Sequence, residues 1–405
     1  MKTRLLIPAI FVLTAVAVFA YPLTRAGTKQ IAAPVAPVIA SPATAMAVAN
    51  DKPRIDVVFV LDTTGSMGGL IQGAKENIWS IASSMAQAQP TPELRIGLVA
   101  YRDRGDAYVT RVVDLSSDLD SMFATLMDFQ ADGGGDSPES VNEALHDAVH
   151  RVSWSQDKDA YKVIFLVGDA PAHTDYTDDV QYPETIAAAT ARGVVVNAIQ
   201  VGNNAGTQTE FQRIAALNQG EFFKVDQSGG ALAVSTPFDD QLAELSRELD
   251  ETRLFYGDAD KRQELDAKVA ATDKLHARST TGSRVKRAMF NASAAGKENL
   301  LGDNELVDAI ASGRIELADV PEAELPAPMR SLSKEEQAVL VKEKAEQRKG
   351  LNEQIAAIGK RRNDYLASEL KTRDGKADSL DDQIYGVVKA QAGKKGLEYD
   401  APAAH

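Results

Sequence analysis

Cysteine is absent from all 405 residues, which removes disulfide frameworks, zinc–thiolate centres and cysteine nucleophiles together. Histidine is scarce: His146, His150, His173, His276 and His405 are scattered, and only the first two share a helical spacing. Asp147 follows His146 where a His-Glu-x-x-His zinc site has glutamate, so a polar helix face accounts for that pair better than a metal does. Excess positive charge is also lacking. The formal net charge of −14 argues against a partner that is a nucleic acid, because no basic surplus is left to neutralise phosphates. A nucleophile elbow is missing, since Thr64-Gly65-Ser66-Met67-Gly68 has threonine where Gly-x-Ser-x-Gly needs its first glycine. No repeat of solenoid period occurs. What is present, 44% hydrophobic and 25% charged residues, is ordinary for a globular protein long enough to hold two domains.

The N-terminus reads as an export segment. Lys2 and Arg4 precede an apolar stretch from Leu5 to Tyr21, and Val18-Phe19-Ala20 offers small residues before a cut. The competing reading is an uncleaved anchor, since the stretch reaches the lower limit of the roughly 17–25 residues that span a bilayer. Residues 1–26 are therefore expected to be a signal peptide or membrane anchor, and residues 27–53, rich in Ala and Pro, a linker. Either way the rest of the chain is expected outside the cytoplasm: periplasmic, secreted or membrane-anchored.

From residue 54 to 254 strand-like and helix-like segments alternate, which calls for a doubly wound, mostly parallel α/β sheet with helices on both faces. The strands read as Ile55–Leu61, Leu94–Tyr101, Tyr108–Leu115, Tyr161–Val167, Val194–Val201 and Glu221–Val225. Residues 255–372 turn polar and helix-rich, a helical C-terminal extension. Within it Ser333-Lys334-Glu335-Glu336 has the spacing of a capping box, so a long helix should start there and run to about Thr372. Leu351, Ile355, Ile358, Tyr365 and Leu366 would give that helix a narrow apolar seam. Residues 373–405 are polar and are expected to be a flexible tail.

The chemistry concentrates where the first strand ends. Asp62, Thr64 and Ser66 leave a buried run at alternate positions, and alternate side chains on an extended chain point the same way. Oxygen-only donors suit a hard divalent cation such as Mg²⁺, Mn²⁺ or Ca²⁺. Two further oxygen clusters, Asp136 with Glu139, and Asp169, also lie at element edges. In sheets of this kind ligands bind beyond the carboxyl ends of the strands, and all three segments obey that rule. A plainer account is that Asp62, Thr64 and Ser66 cap the following helix. Glu139 reads either as a second-segment ligand in place of Asp136, as Ser137 also could be, or as an acid pointing to solvent from the first turn of its own helix, where it suits the helix dipole. Arg104-Gly105-Asp106 spells a known recognition tripeptide, but Gly and Asp already suit a turn, and chance explains it better.

Those segments resemble the von Willebrand factor type A domain and its metal-ion-dependent adhesion site, whose first segment is Asp-x-Ser-x-Ser. The wording Asp-Thr-Thr-Gly-Ser-Met at 62–67, Gly-Gly-Gly-Asp-x-Pro-Glu at 133–139 and Asp-Ala-Pro at 169–171 is similar to the bacterial and protist members, some of them fused to atypical kinases. No kinase signature accompanies it here. The resemblance implies one divalent cation, Mg²⁺ or Ca²⁺, held by Asp62, Thr64, Ser66, Asp136 and Asp169. Asp136 would stand where integrin-like members carry threonine. It also implies a protein-binding module of the cell envelope, not an enzyme, in which an acidic side chain of the partner completes the metal shell. An alternative is a structural or assembly subunit, with the metal fixing loop geometry and the helical extension making the contacts.

Overall fold

Ile55 through Asp62 are all buried, which only a strand covered on both faces can achieve, and β1 (Arg54–Asp62) is accordingly central. Its side chains divide by parity. Val57, Phe59 and Leu61 enter one apolar core, whereas Val58 and Val60 enter another on the opposite face. The computed structural model describes residues 52–134, 137–226, 235–372 and 380–399. The export and linker readings for residues 1–51 lie outside that set, and among the described residues no helix is long and apolar enough to cross a membrane.

Around β1 run β2 (Glu93–Tyr101), β3 (Thr110–Ser116), β4 (Tyr161–Gly168), β5 (Val194–Val201) and β6 (Phe222–Val225), in the spatial order β3-β2-β1-β4-β5-β6. Every pairing is parallel except that of β2 with β3. Register brings Asp62 opposite Tyr101 and Leu61 opposite Val167, so the carboxyl ends of β1, β2 and β4 finish side by side. At the other end of β1 the buried Asp56 is satisfied by a two-pronged bond from Arg95, at 2.8 and 2.6 Å, and by Ser155 N.

Helices α1 (Gly68–Ala86) and α2 (Leu119–Leu126) cover one face of the sheet. Helices α3 (Val141–His150), α4 (Tyr182–Ala191) and α5 (Ala205–Ala216) cover the other. This is the doubly wound α/β architecture, followed by a helical C-terminal region: α6 (Asp239–Asp250), α7 (Ala259–Arg278), α8 (Thr281–Asn291), α9 (Gly296–Leu301), α10 (Leu306–Ala311), α11 (Lys334–Thr372) and α12 (Leu380–Ala392). That region packs directly on the sheet's first helical layer. Trp79 of α1, fully buried, meets Phe123 of α2 at 5.6 Å and Phe290 of α8 at 5.9 Å between ring centres. A buried aromatic trio of this kind contributes about 1.5–3 kcal/mol per side chain from burial alone.

The long helix starts as its sequence demands. Ser333 N donates to Glu336 Oε2 at 2.8 Å and Glu336 N to Ser333 Oγ at 3.3 Å, a closed capping box. Leu351, Ile355 and Ile358 pack with Leu242, Leu245 and Val285 of α6 and α8. The tail expected to be flexible is different in its described part. Residues 380–399 form α12 and a returning strap whose Ile384, Tyr385, Val388, Ala392, Leu397 and Tyr399 join the sheet's own core. Gln391 of α12 exchanges buried hydrogen bonds with Tyr161 and Asn197, and Glu398 pairs with Gln89 through both backbone N–H groups. A helix of thirteen residues is marginal alone, and this burial is what stabilises it.

Candidate metal centre

β1 ends at Asp62 with its carboxylate fully buried. Oδ1 accepts from the backbone N–H of Thr64 at 2.8 Å and from its hydroxyl at 2.7 Å, which folds the segment into a tight turn on the carboxylate. Oδ2 is equally inaccessible and has no hydrogen-bond partner. The hydroxyls of Thr64 and Ser66 stand 3.4 Å apart, the first buried and the second exposed, so the segment has a floor and a rim. Neither the 3₁₀ turn Gly65–Met67 nor α1 takes a side-chain cap, so capping does not occupy these oxygens. Burial pushes the Asp62 carboxyl up to about 7; the Thr64 bonds oppose that shift and the charge of Asp169 adds to it.

The second segment is laced to the other two by backbone bonds. Gly65 N donates to Gly133 O, Glu139 N donates to Pro171 O, and His173 N donates to Glu139 O. Asp136 lies outside the described residues. Glu139 does not face solvent. Because α3 begins only at Val141, Glu139 remains extended, bridges in parallel with Ala172 and is 3% exposed. Its Oε2 is a second buried carboxylate oxygen without a partner. Burial, followed by the charges of Asp62, Asp103, Asp106 and Asp169, pushes its carboxyl up to about 9.

Asp169 follows β4 directly and is half-buried, its carbonyl held by the Thr207 hydroxyl at 2.8 Å. The glycine before it is required by space. A Cβ at Gly168 would run into the Tyr101 hydroxyl and sit 3.4 Å from Asp62 Oδ2. Among the described residues no three Asp, Glu or His side chains are grouped closely enough to hold a metal unaided, so any cation here would draw on the hydroxyls as well.

Three supporting groups were not singled out in the sequence. Asp103 receives the Ser140 hydroxyl at 2.7 Å and the Tyr176 hydroxyl at 3.0 Å. His173 stacks on Tyr176 at 3.9 Å, donor or acceptor to Asp175 through Nδ1, with Nε2 3.3 Å from Asp103 but off-line for a hydrogen bond. Asp106 accepts from Gly134 N and Asp103 N, which ties the turn after β2 to the second segment. Arg104 pairs with Asp178 and Asp179 and lies over the Tyr176 ring, so the Arg-Gly-Asp string is engaged inside the protein. Position was the available signal: Asp103 follows β2 at the same sheet edge.

Compared with known proteins, residues 56–237 match the model of the von Willebrand factor A domain. Von Willebrand factor A domain-containing protein 7 of Rattus norvegicus is 39% identical over 93 residues, 23% of this chain and 10% of that protein. Alpha-protein kinase vwkA of Dictyostelium discoideum is 26% identical over 125 residues, 30% of this chain and 19% of that protein. The chain thus spans only about a tenth to a fifth of the length of the curated relatives it matches. Among solved structures, proximal thread matrix protein 1 from the mussel byssus, with a zinc-occupied MIDAS motif, is 20% identical with a TM-score of 0.34, over 43% of this chain and 42% of its own. The SpRpn10 VWA domain is 13% identical with a TM-score of 0.33, over 44% of this chain and 89% of its own. The doubly wound sheet with its one antiparallel edge and the family match fall on the same stretch of chain, residues 56–237, which is similar to a von Willebrand factor A domain.

Proposed function

We propose that this domain is a divalent-cation-dependent protein-binding module of the cell envelope, without catalytic activity, exported by its N-terminal segment. The family consists in general of protein-interaction domains, and the finer reading is carried by one observation. Two carboxylate oxygens, Asp62 Oδ2 and Glu139 Oε2, are buried at the carboxyl edge of the sheet and neither meets a donor at hydrogen-bond geometry, the Asp169 backbone only partly offsetting the burial of Asp62. Such oxygens cost several kcal/mol each in the charged state unless a cation meets them. The donor set fits Mg²⁺ or Ca²⁺: carboxylates and hydroxyls only, with Ser66 exposed at the rim. Asp62, Thr64, Ser66 and Asp169, with an acid of the second segment, Asp136 or Glu139, would hold the ion. The ion would supply a fixed positive charge to which a partner's oxygen binds; in the family pattern that oxygen comes from an acidic side chain.

Calorimetric titration of Mg²⁺ and Ca²⁺ tests the metal. One site in the wild-type chain, lost in Asp62→Ala, is the expected result; undiminished binding in the variant would move the site elsewhere. Affinity capture from the cell envelope with and without a chelator tests the partner, and a reporter fused after residue 52 tests export.

A further inference from the structure

The second segment departs from the family pattern in having acids, Asp136 and Glu139, and of these Glu139 lies among the described residues. We infer that Glu139 supplies the second-segment ligand, so that the cation is held by two buried carboxylates and is thereby made a poor acceptor for an acidic partner and a good one for a neutral oxygen. This rests on the cation-binding reading above and deepens it.

Four observations carry the assignment. Glu139 is fixed beside the third segment at both of its backbone groups, by Pro171 O at 2.9 Å and His173 N at 3.0 Å, two and four residues past Asp169. Its carboxylate points back toward the first segment: a Cβ built on Gly134 would lie 3.4 Å from Glu139 Oε1 and 3.1 Å from Thr64 Cβ, so both side chains line the same glycine. Oε2 is buried and without a donor, and among the described residues of the three segments the one other carboxylate in that condition is Asp62. Finally, the largest charge effects on Glu139 are those of four acids, Asp62, Asp103, Asp106 and Asp169. A buried acid under such charges is stabilised as an anion by a cation placed among them.

The consequence for recognition follows from charge. With two carboxylates bound and Asp169 close by, a divalent ion is already neutralised, and a further carboxylate gains little from it. The exposed acids nearby do not decide the sign, because Asp132, Asp175 and Asp178 are paired with Arg102, His173 and Arg104; the two buried carboxylates do. A partner's amide or hydroxyl oxygen matches this site; a carboxylate does not.

The test uses the full chain and Mn²⁺, titrated calorimetrically into wild type, Asp62→Asn, Glu139→Gln and Asp136→Asn, each checked for its melting transition. Glu139→Gln keeps the shape of the side chain, and it is expected to lose at least about tenfold in Mn²⁺ affinity, as losing a direct ligand should cost no less than losing a supporting group. Asp136→Asn is expected to stay within about twofold. Glu139→Gln binding Mn²⁺ as wild type does, while Asp62→Asn does not, overturns the assignment and leaves the cation site intact. A wild-type chain that binds no cation overturns both. For the recognition arm, acetate and acetamide serve as the carboxylate and neutral-oxygen probes in the Mn²⁺ titration. Acetate is expected to leave wild-type affinity unchanged and to raise it in Glu139→Thr, and the reverse pattern overturns the charge argument.

Discussion

Two groups of buried carboxylates, one in the helical region and one at the sheet edge, obey opposite rules. In the helical region Asp120 of α2 and Asp250 of α6 face the fully buried Arg287 of α8. Its guanidinium donates to Asp120 Oδ1 at 2.7 Å and to Asp250 at 2.8 and 3.0 Å, with Ser246, Thr272, His276 and Asn299 filling the remaining positions. Burial alone would raise both acids, but Arg287 more than offsets it and both sit below the ordinary carboxylate value. At the sheet edge Asp62 and Glu139 are as deeply buried, have no such partner and are raised. The first group closes a joint between the domain and its C-terminal helices. The second keeps an unmet requirement, which is what a binding site looks like before its ligand is counted.

The largest effect should come from opening the closed group. Arg287→Ala leaves the fully buried Asp120 without its guanidinium, and Asp250 with only Arg253 and His276, and is expected to cost about 3–5 kcal/mol in denaturant unfolding. Cation binding by the fraction that stays folded should be unchanged, because no residue of the sheet edge bonds to Arg287; a lost cation site would mean the two groups are coupled. Acid probes the same contrast. Asp120 and Asp250 have folded values below the unfolded value of 3.8, so the stability they contribute is whole above 3.8 and is lost as pH falls below it toward their folded values. Unfolding curves taken downward from pH 6 should steepen in that window for wild type, and the steepening should shrink in Asp120→Asn.

A smaller effect of opposite sign is expected at the edge. Asp62→Asn removes a charge from a buried oxygen that has no donor while Oδ1 keeps its two bonds from Thr64. In chelator at neutral pH the variant should therefore be more stable than wild type by roughly 1–2 kcal/mol, and it should no longer gain stability from Mg²⁺. A destabilised variant would mean that Asp62 already has what it needs. The smallest effect belongs to Arg104→Ala. Arg104 is 35% exposed and pairs with the exposed Asp178 and the buried side chain of Asp179, so melting temperature should fall slightly while cation affinity stays at the wild-type value.

Much of this was legible in order along the chain. β5 occupies Val194–Val201 as the alternation of segments indicated, and the Ser333–Glu336 box starts a helix because both of its bonds are local. The convergence of the first and third segments on one edge was also readable, since parallel strands must end together. Two features were not. α12 looked too polar to order because its apolar positions are few, and their value depends on a groove built by residues some three hundred positions earlier. Glu139 could also be read as a solvent-facing helix acid because the start of α3 cannot be fixed to within two residues from composition.

Sequence by itself determined that an oxygen-rich, cysteine-free cradle would follow a doubly buried strand, because spacing along an extended chain decides which side chains share a face. Only the tertiary structure decided which acids are paired and which are left wanting. Asp120 sits in the first turn of α2 and Glu139 just ahead of α3; a guanidinium from 167 positions away reaches the first, and a strand-like bridge to Ala172 turns the second inward among other acids. Desolvation and charge act through distance in space, and the chain order does not carry that distance.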